Sequence, residues 1–304
     1  MKVLICDPLA PEAVEKMKAS KKFEAVDTKT GLTPEDLIKT VPDYDVIIVR
    51  SATKVTADVI KAGKNLKLIA RGGIGLDNID VKAAEAAKIK VVNTPGASTV
   101  SVAELAFAHM LAGARDLQAA DKSVKEGKWE KKKFKGHELY QKTLGVIGFG
   151  RIGQAVAKRA LAFEMQILYY DIVRPSADVE REHKAKYVPL DELLSKADYI
   201  TLHLPMTPQT KNLIDTKQVA LMKKGVCIVN CSRGGIVSED ALYEALKSGK
   251  VGFVATDVFD KEPPGSHKLL ELPNVYATPH IGAQSEEGQF RVGMEIAQKV
   301  IDAF

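Results

Sequence analysis

The stretch that most limits what this chain can become is residues 143–171, TLGVIGFGRIGQAVAKRALAFEMQILYYD. A short apolar run breaks at Gly148, Gly150 and Gly153 and passes straight into an amphipathic helical pattern; QILYYD then reads as a second strand ending on Asp171. The spacing G-x-G-x-x-G is weak alone. Set between a strand and a helix, with an acidic residue 23 positions after the first glycine, it predicts a dinucleotide-binding unit. Gly148 allows the tight turn, Gly150 lets a pyrophosphate approach the backbone, and Gly153 lets helix and strand pack closely. The helix start then turns its amides toward phosphate. Asp171 suits the adenosine ribose and repels a 2′-phosphate, by about 4 kcal/mol per charge pair in a partly shielded site and about 1 kcal/mol in water. Both figures favour NAD over NADP, whereas Arg174 nearby is the residue that would instead receive that phosphate.

The same alternation fills the chain of 304 residues. KVLIC, FEAV, YDVIIVR, KLIAR and KVVNT read as strands before the glycine unit, and YITLHLP, GVCIVNCS, VGFVATDV and NVYATP after it. Between them lie helical patterns such as TPEDLIKTV, where Thr33 suits the N-cap and Pro34 the first helical position. A longer helix is expected from Thr99 to Glu126. Continuous apolar runs alternating with helices predict parallel sheets covered on both faces, so the fold class is α/β with two such units. A composition of 45% hydrophobic and 27% charged residues is that of a soluble globular protein. No apolar run approaches membrane-spanning length, and MKVLICDPLAPEA is too short in its apolar part for a signal peptide. The three cysteines are expected as reduced, buried thiols in a cytoplasmic protein, without disulfide or metal.

Charge is concentrated in one place. The chain carries 44 Lys+Arg against 39 Asp+Glu, and the segment 122–136 holds seven lysines and two glutamates, so the remainder is balanced at 37 of each sign. A nucleic-acid binder spreads arginines and aromatic residues over a face. Here there is no arginine and only Trp129 and Phe134, so nucleic acid is not an expected partner. A solvated loop and a site for a small anion both fit the cluster.

Three charged residues each follow a strand: Arg233 in CSRGG, Glu262 in FDKEPP and His280 in ATPHIG. In open α/β sheets the carboxyl ends of strands face the ligand, so the three are expected to converge there. Their chemistry is complementary. Oxidising a 2-hydroxy acid needs a base for the hydroxyl proton, which suits His280. A carboxylate fixes the imidazole's tautomer, which suits Glu262, and an arginine fork holds the substrate carboxylate, which suits Arg233. His109 lies in the long apolar helix and reads as structural; His137, His183, His203 and His267 form no metal-ligand pattern.

With these residues in hand, the chain resembles the D-2-hydroxyacid dehydrogenase family and, within it, the phosphoglycerate dehydrogenase branch. The motifs are VRSATKVT, ARGGIGLDNID, VNTPGAS with SVAELAFAHML, GKWEKKKFKG, GVIGFGRIG, VNCSRGGIV, DVFDKEPP and TPHIGA, spread over essentially the whole length. The resemblance implies a flavodoxin-like substrate domain made of residues 1–97 and 283–304, and a Rossmann NAD-binding domain of residues 98–282. It implies the catalytic set Arg233, Glu262 and His280, and NAD contacts at Arg151, Ile152, Asp171, Leu204, Cys231 and Asp257 beside the three glycines. Substrate contacts are implied at Arg50, Ser51, Arg71, Gly72 and Gly73. A homodimer built on the helix of residues 99–126 is also implied, with Lys131, Lys132 and Lys133 reaching the substrate phosphate in the neighbouring subunit.

Some positions depart from the family pattern. Ile74 stands where relatives often carry threonine, Ser98 where many carry asparagine, and Glu164 where a turn glycine is common. The chain ends in its last helical pattern, so serine feedback through a C-terminal regulatory domain is not expected. The resemblance implies oxidation of D-3-phosphoglycerate, a small phosphorylated hydroxy acid, to 3-phosphohydroxypyruvate, the first step of serine biosynthesis. A glyoxylate or hydroxypyruvate reductase would share every catalytic residue, and an NAD-sensing interaction protein like the carboxy-terminal-binding-protein corepressors would retain them too.

Overall fold

The computed structural model describes all residues 1–304, which form two compact units: Met1–Thr99 with Ala283–Phe304, and Val100–Gly282. In the first, strands β1 (Lys2–Ile5), β2 (Ala25–Thr28), β3 (Val46–Val49), β4 (Leu68–Arg71) and β5 (Lys90–Asn93) form one parallel sheet in the order β2-β1-β3-β4-β5. The run VIIV of β3 is wholly buried because helices cover both faces of this central strand. On one side Leu4, Ile47 and Ile69 pack with Leu37 of helix α2 (Pro34–Thr40) and Val59 of α3 (Ala57–Ala62). On the other, Val3, Ile48 and Leu68 pack with Met17 of α1 (Pro11–Lys18) and with Ile296 and Val300 of the last helix (Glu286–Asp302). Thr33 caps α2 through the Asp36 amide, with Pro34 in its first turn, as the sequence predicts. FEAV is two residues out of register: β2 begins at Ala25, opposite Lys2, and Phe23 turns into the core instead. Helix α4 (Val81–Ala86) completes this unit.

The second unit opens on a helix pair where one helix was expected. Helix α5 (Thr99–Arg115) stops at Asp116, whose φ of 52° is left-handed, and α6 (Leu117–Lys125) starts afresh. The break is held by the buried Tyr276, whose hydroxyl donates to Asp116 Oδ1 at 2.6 Å. Seven parallel strands follow: β6 (Thr143–Ile147), β7 (Gln166–Tyr170), β8 (Ala185–Tyr187), β9 (Tyr199–Leu202), β10 (Val226–Asn230), β11 (Val251–Thr256) and β12 (Val275–Ala277). Their order is β12-β11-β10-β9-β6-β7-β8, so the chain reverses direction across the sheet between β6 and β9. The edge strand β8 is three residues long and its AKY carries no apolar run, which is why the sequence did not reveal it. Helices α7 (Arg151–Ala162), α8 (Ala177–Glu182), α9 (Leu190–Lys196), α10 (Thr216–Leu221) and α11 (Glu239–Lys247) join the strands, and α12 is the helix Glu286–Asp302 of the first unit. Both faces are covered: Met110, Val156 and Tyr169 lie in one core, Leu193, Ile228 and Leu242 in the other. No helix is long and apolar enough to cross a membrane.

Candidate active site

The glycine turn is built as its spacing predicts. Gly148 has φ 91°, and a Cβ there would lie 2.5 Å from the His203 carbonyl oxygen and 2.9 Å from Leu204 Cδ2. At Gly153 a Cβ would collide with the Gly148 carbonyl, so helix α7 could not close on the strand. Gly150 differs. It is the N-cap of α7 with no side-chain cap, and nothing lies within 4 Å of where its Cβ would be. Open space over uncapped amides of Arg151, Ile152 and Gly153 is what a pyrophosphate requires. At the end of β7, Asp171 accepts from the Phe149 amide at 2.6 Å and the Val173 amide at 2.9 Å, which locks the carboxylate beside this turn. Ile172 and Val173 beyond it are 89% and 73% exposed, an apolar pair suited to a nucleobase that the sequence reading passed over. Arg174 is spent elsewhere: its Nε and Nη2 donate to Glu180 at 2.7 and 3.0 Å, and its guanidinium lies over the Tyr187 ring. Hydrogen bonds from Arg174 and Tyr169 outweigh desolvation and hold the Glu180 carboxyl at about 2.

Arg233, Glu262 and His280 leave the sheet on three adjacent strands, β10, β11 and β12, at one edge. The turn after β10 is shaped by Asn230, whose Oδ1 accepts from the Ser232 amide and hydroxyl while its Nδ2 donates to the Arg233 carbonyl. A Cβ at Gly234 would collide with the Phe259 carbonyl, so this turn lies directly on the loop that carries Glu262. Glu262 accepts from the Phe259 amide at 3.2 Å on Oε1 and meets His280 Nδ1 at 2.7 Å on Oε2. Burial pushes the Glu262 carboxyl up, but the hydrogen bond and charge of His280, the Phe259 amide and the Arg233 charge together bring it below the ordinary carboxylate range. An ionised carboxylate only accepts, so Nδ1 is the nitrogen that donates to Glu262, and in the neutral form of His280 this leaves the lone pair on Nε2.

The His280 loop has its own frame. His280 is left-handed, with φ 53°, and the next two amides, of Ile281 and Gly282, donate to Asp257 Oδ1 and Oδ2 at 2.8 and 2.7 Å. Asp257 is 1% exposed and takes a further hydrogen bond from Thr278 Oγ1 at 2.5 Å, so it serves first as the cradle of this loop. Thr278 in turn meets His109 Nε2 at 3.0 Å. Asn230 and Thr278 did not stand out in the sequence and His109 read only as structural, because polar residues in or beside apolar strands and helices carry no spacing signal. Leu204 lies over Gly148, and Cys231 is a buried thiol pushed up by desolvation, as Cys6 and Cys227 are to about 12.

Lys131, Lys132 and Lys133 are not brought to this edge. They sit in an exposed turn whose continuation is fixed by the His137 amide on the Ala114 carbonyl at 2.8 Å, and which enters β6 at the amino end of the sheet. Lys128 pairs with Glu126 at 2.7 Å and Lys133 with Glu130 at 3.7 Å, whereas Lys131 and Lys132 have no ion-pair partner. In the first unit, Arg50 follows β3 and Arg71 ends β4. The buried Asp7 accepts from the Arg50 amide at 2.5 Å, and the Arg50 Nε is buried with no hydrogen-bond partner. Desolvation lowers the Arg50 guanidinium from its ordinary value against the pull of Asp7. A side chain at Gly73 would collide with the Arg71 guanidinium, so Gly72 and Gly73 let the two arginines crowd one loop, beside the exposed Ser51. No group of histidine, cysteine and carboxylate residues is arranged to hold a metal.

A dinucleotide cradle and an imidazole hydrogen-bonded to a carboxylate, at the strand ends of one sheet, are what a dehydrogenase acting on an alcohol needs; Arg233, whose Nη1 donates to the Ser232 carbonyl at 2.7 Å, follows the neighbouring strand β10. Comparison with known proteins places the chain within this class. A family model for the D-isomer specific 2-hydroxyacid dehydrogenase, NAD binding domain, matches residues 107–282, and the chain belongs to that family. It is 54% identical to the hydroxypyruvate reductase of Thermotoga maritima, across 98% of this chain and 97% of that protein. It is 52% identical to the D-3-phosphoglycerate dehydrogenase of Archaeoglobus fulgidus, across 99% of this chain but 57% of that longer protein. The structure of the Aquifex aeolicus D-lactate dehydrogenase complexed with NAD and lactic acid superposes with a TM-score of 0.85 at 32% identity, across 99% of this chain and 94% of that one. The chain is thus an NAD-dependent D-2-hydroxyacid dehydrogenase with two parallel-sheet units.

Proposed function

We propose that the chain oxidises D-3-phosphoglycerate to 3-phosphohydroxypyruvate, the first step of serine biosynthesis. The Gly148–Gly153 turn, Arg151, Ile152 and Asp171, with Leu204, Cys231 and Asp257, would hold NAD, which when bound would accept the hydride leaving C2 of the substrate. His280 Nε2 takes the hydroxyl proton, Glu262 steadies the imidazolium through Nδ1, and Arg233 orients the substrate carboxylate. Arg50, Ser51 and the Arg71–Gly73 loop are the further substrate contacts in this reading.

The observation that carries the choice of substrate is the pair Lys131 and Lys132, exposed and without acid partners inside a segment holding the chain's whole net charge. They lie away from their own His280, so the proposal needs a homodimer in which one copy's turn serves the other's substrate. Exposed apolar residues on and after the helix pair, Leu117, Val124 and Trp129 at 52%, 57% and 84%, support such an interface. Three buried free thiols suit the reducing cytoplasm proposed for it.

Hydroxypyruvate reduction is the second reading, favoured by 54% identity over nearly the full length of the T. maritima protein. The test follows NADH absorbance with 3-phosphoglycerate and D-glycerate, for the protein and for Lys131→Ala/Lys132→Ala/Lys133→Ala. A charge-assisted hydrogen bond is worth about 1.5–3 kcal/mol, so kcat/KM for the phosphorylated substrate is expected to fall by roughly one to two decades, with D-glycerate little changed. An equal fall on both substrates, or a parent enzyme preferring D-glycerate, defeats the phosphoglycerate reading.

A further inference from the structure

We propose that His109 is a positioning residue for the reaction, acting on His280 through Thr278 and Asp257. His109 lies on α5, 4% exposed, and 169 residues before the threonine it touches. The hydrogen-bond direction follows from what each group can do. Asp257 already receives the Ile281 and Gly282 amides, and the Thr278 hydroxyl gives it its only proton at 2.5 Å. Thr278 Oγ1 therefore accepts from His109, which carries its proton on Nε2. The donors converge on the carboxylate: His109 donates to Thr278 and Thr278 to Asp257, which also accepts the two amides that follow His280.

The bland alternative is a core histidine that has merely found an acceptor. Two observations go beyond it. Thr278 needs no help from His109, since its hydroxyl is already satisfied by Asp257, so an apolar side chain would pack at this position with less desolvation. Burial indeed holds the His109 imidazole below its ordinary value despite the nearby Asp257 charge, so it stays a neutral donor. The group at the far end of the chain is also strained. A left-handed non-glycine residue persists only where its surroundings over-determine it, and Asp257 supplies that constraint for His280. Anchoring Asp257 from a rigid helix confines the carboxylate laterally, and with it the position of His280 Nε2 relative to the substrate hydroxyl. A misplacement of about 1 Å can cost roughly 100-fold in rate.

The inference rests on His280 as base and is tested so that the two can fail separately. In the intact enzyme with NAD, His109→Leu is expected to lower kcat roughly 10-fold, part of what a full ångström would cost, with the KM for NAD and the melting temperature nearly unchanged. His109→Gln, which keeps a donor, is expected to restore most of the loss. Thr278→Val should lower kcat similarly, and the double variant should lose no more than the worse single one, as coupled residues do. A kcat within about twofold of the parent in His109→Leu, a loss that glutamine does not restore, or losses that multiply would each overturn the proposal, as would failure of both apolar variants to fold, which would make the contact one of stability. If His280→Ala retains near-normal turnover, the base assignment itself has failed, whatever His109 does.

Discussion

His280, the base in the proposed reaction, sits in a backbone state that a side chain rarely adopts. The cost of such a residue is of order 1–3 kcal/mol, and the Asp257 cradle offsets it with hydrogen bonds to both following amides. Replacing His280 by alanine is expected to lower kcat by roughly 10²- to 10⁴-fold, the range for a general base, read by NADH formation at saturating NAD. The sequence located this imidazole by its place after a strand, and Glu262 and Arg233 likewise, because strand ends are legible from apolar runs. It also marked Glu164 as a position where glycine is common, and the backbone there is left-handed at φ 56°. What it did not resolve was Arg174. Whether an arginine beside Asp171 meets a 2′-phosphate depends on its partner, and Glu180, six residues on, engages its Nε and Nη2.

Among the elements, the pair α5 and α6 departs most from expectation. The apolar periodicity runs on across Asp116, so a pattern-based reading has no reason to stop there; the Tyr276 hydroxyl, reached from the far edge strand, supplies one. Burial and the adjacent carboxylate push the Tyr276 phenol well up, which keeps it a donor. Asp116→Ala leaves a buried hydroxyl without its acceptor and a Cβ residue in the left-handed region. A loss of about 1–3 kcal/mol is expected from the first effect alone, measured by denaturant unfolding. Asp116→Asn, which accepts the same bond and tolerates the same φ, should stay close to the parent. A helix pair as stable with alanine as with aspartate would refute this account of the break.

Across the whole molecule the two units repeat one device. Asp45, before β3, accepts the Lys2 amide at 2.9 Å and the Lys67 ammonium at 2.7 Å; Asp198, before β9, accepts the Thr143 amide and the Lys223 ammonium, both at 2.9 Å. For each, burial pushes the carboxyl up, and the amide and lysine more than compensate, so it ends below its ordinary 3.8. A folded value below the unfolded one gives stability that is complete above 3.8 and lost as pH falls through the folded value. The melting temperature is therefore expected to fall below about pH 4, and Asp45→Asn with Asp198→Asn should shrink that fall by about 2–4 °C, the effect of roughly 1 kcal/mol in a protein of this size. An acid limb unchanged in the double variant would rule these two carboxylates out as its source.

Sequence by itself determined the α/β class, the parallel sheets, the glycine turn before α7 and the placement of three charged residues after strands, because each leaves a local trace: a run, a spacing or a turn glycine. The tertiary structure alone decided that Asp116 breaks the helix, that Arg174 is occupied, and that His109, Thr278 and Asp257 form one hydrogen-bonded chain behind His280. Those outcomes hang on contacts between residues as much as 169 positions apart, and a hydrogen bond over that separation imposes no periodicity on either partner's neighbours.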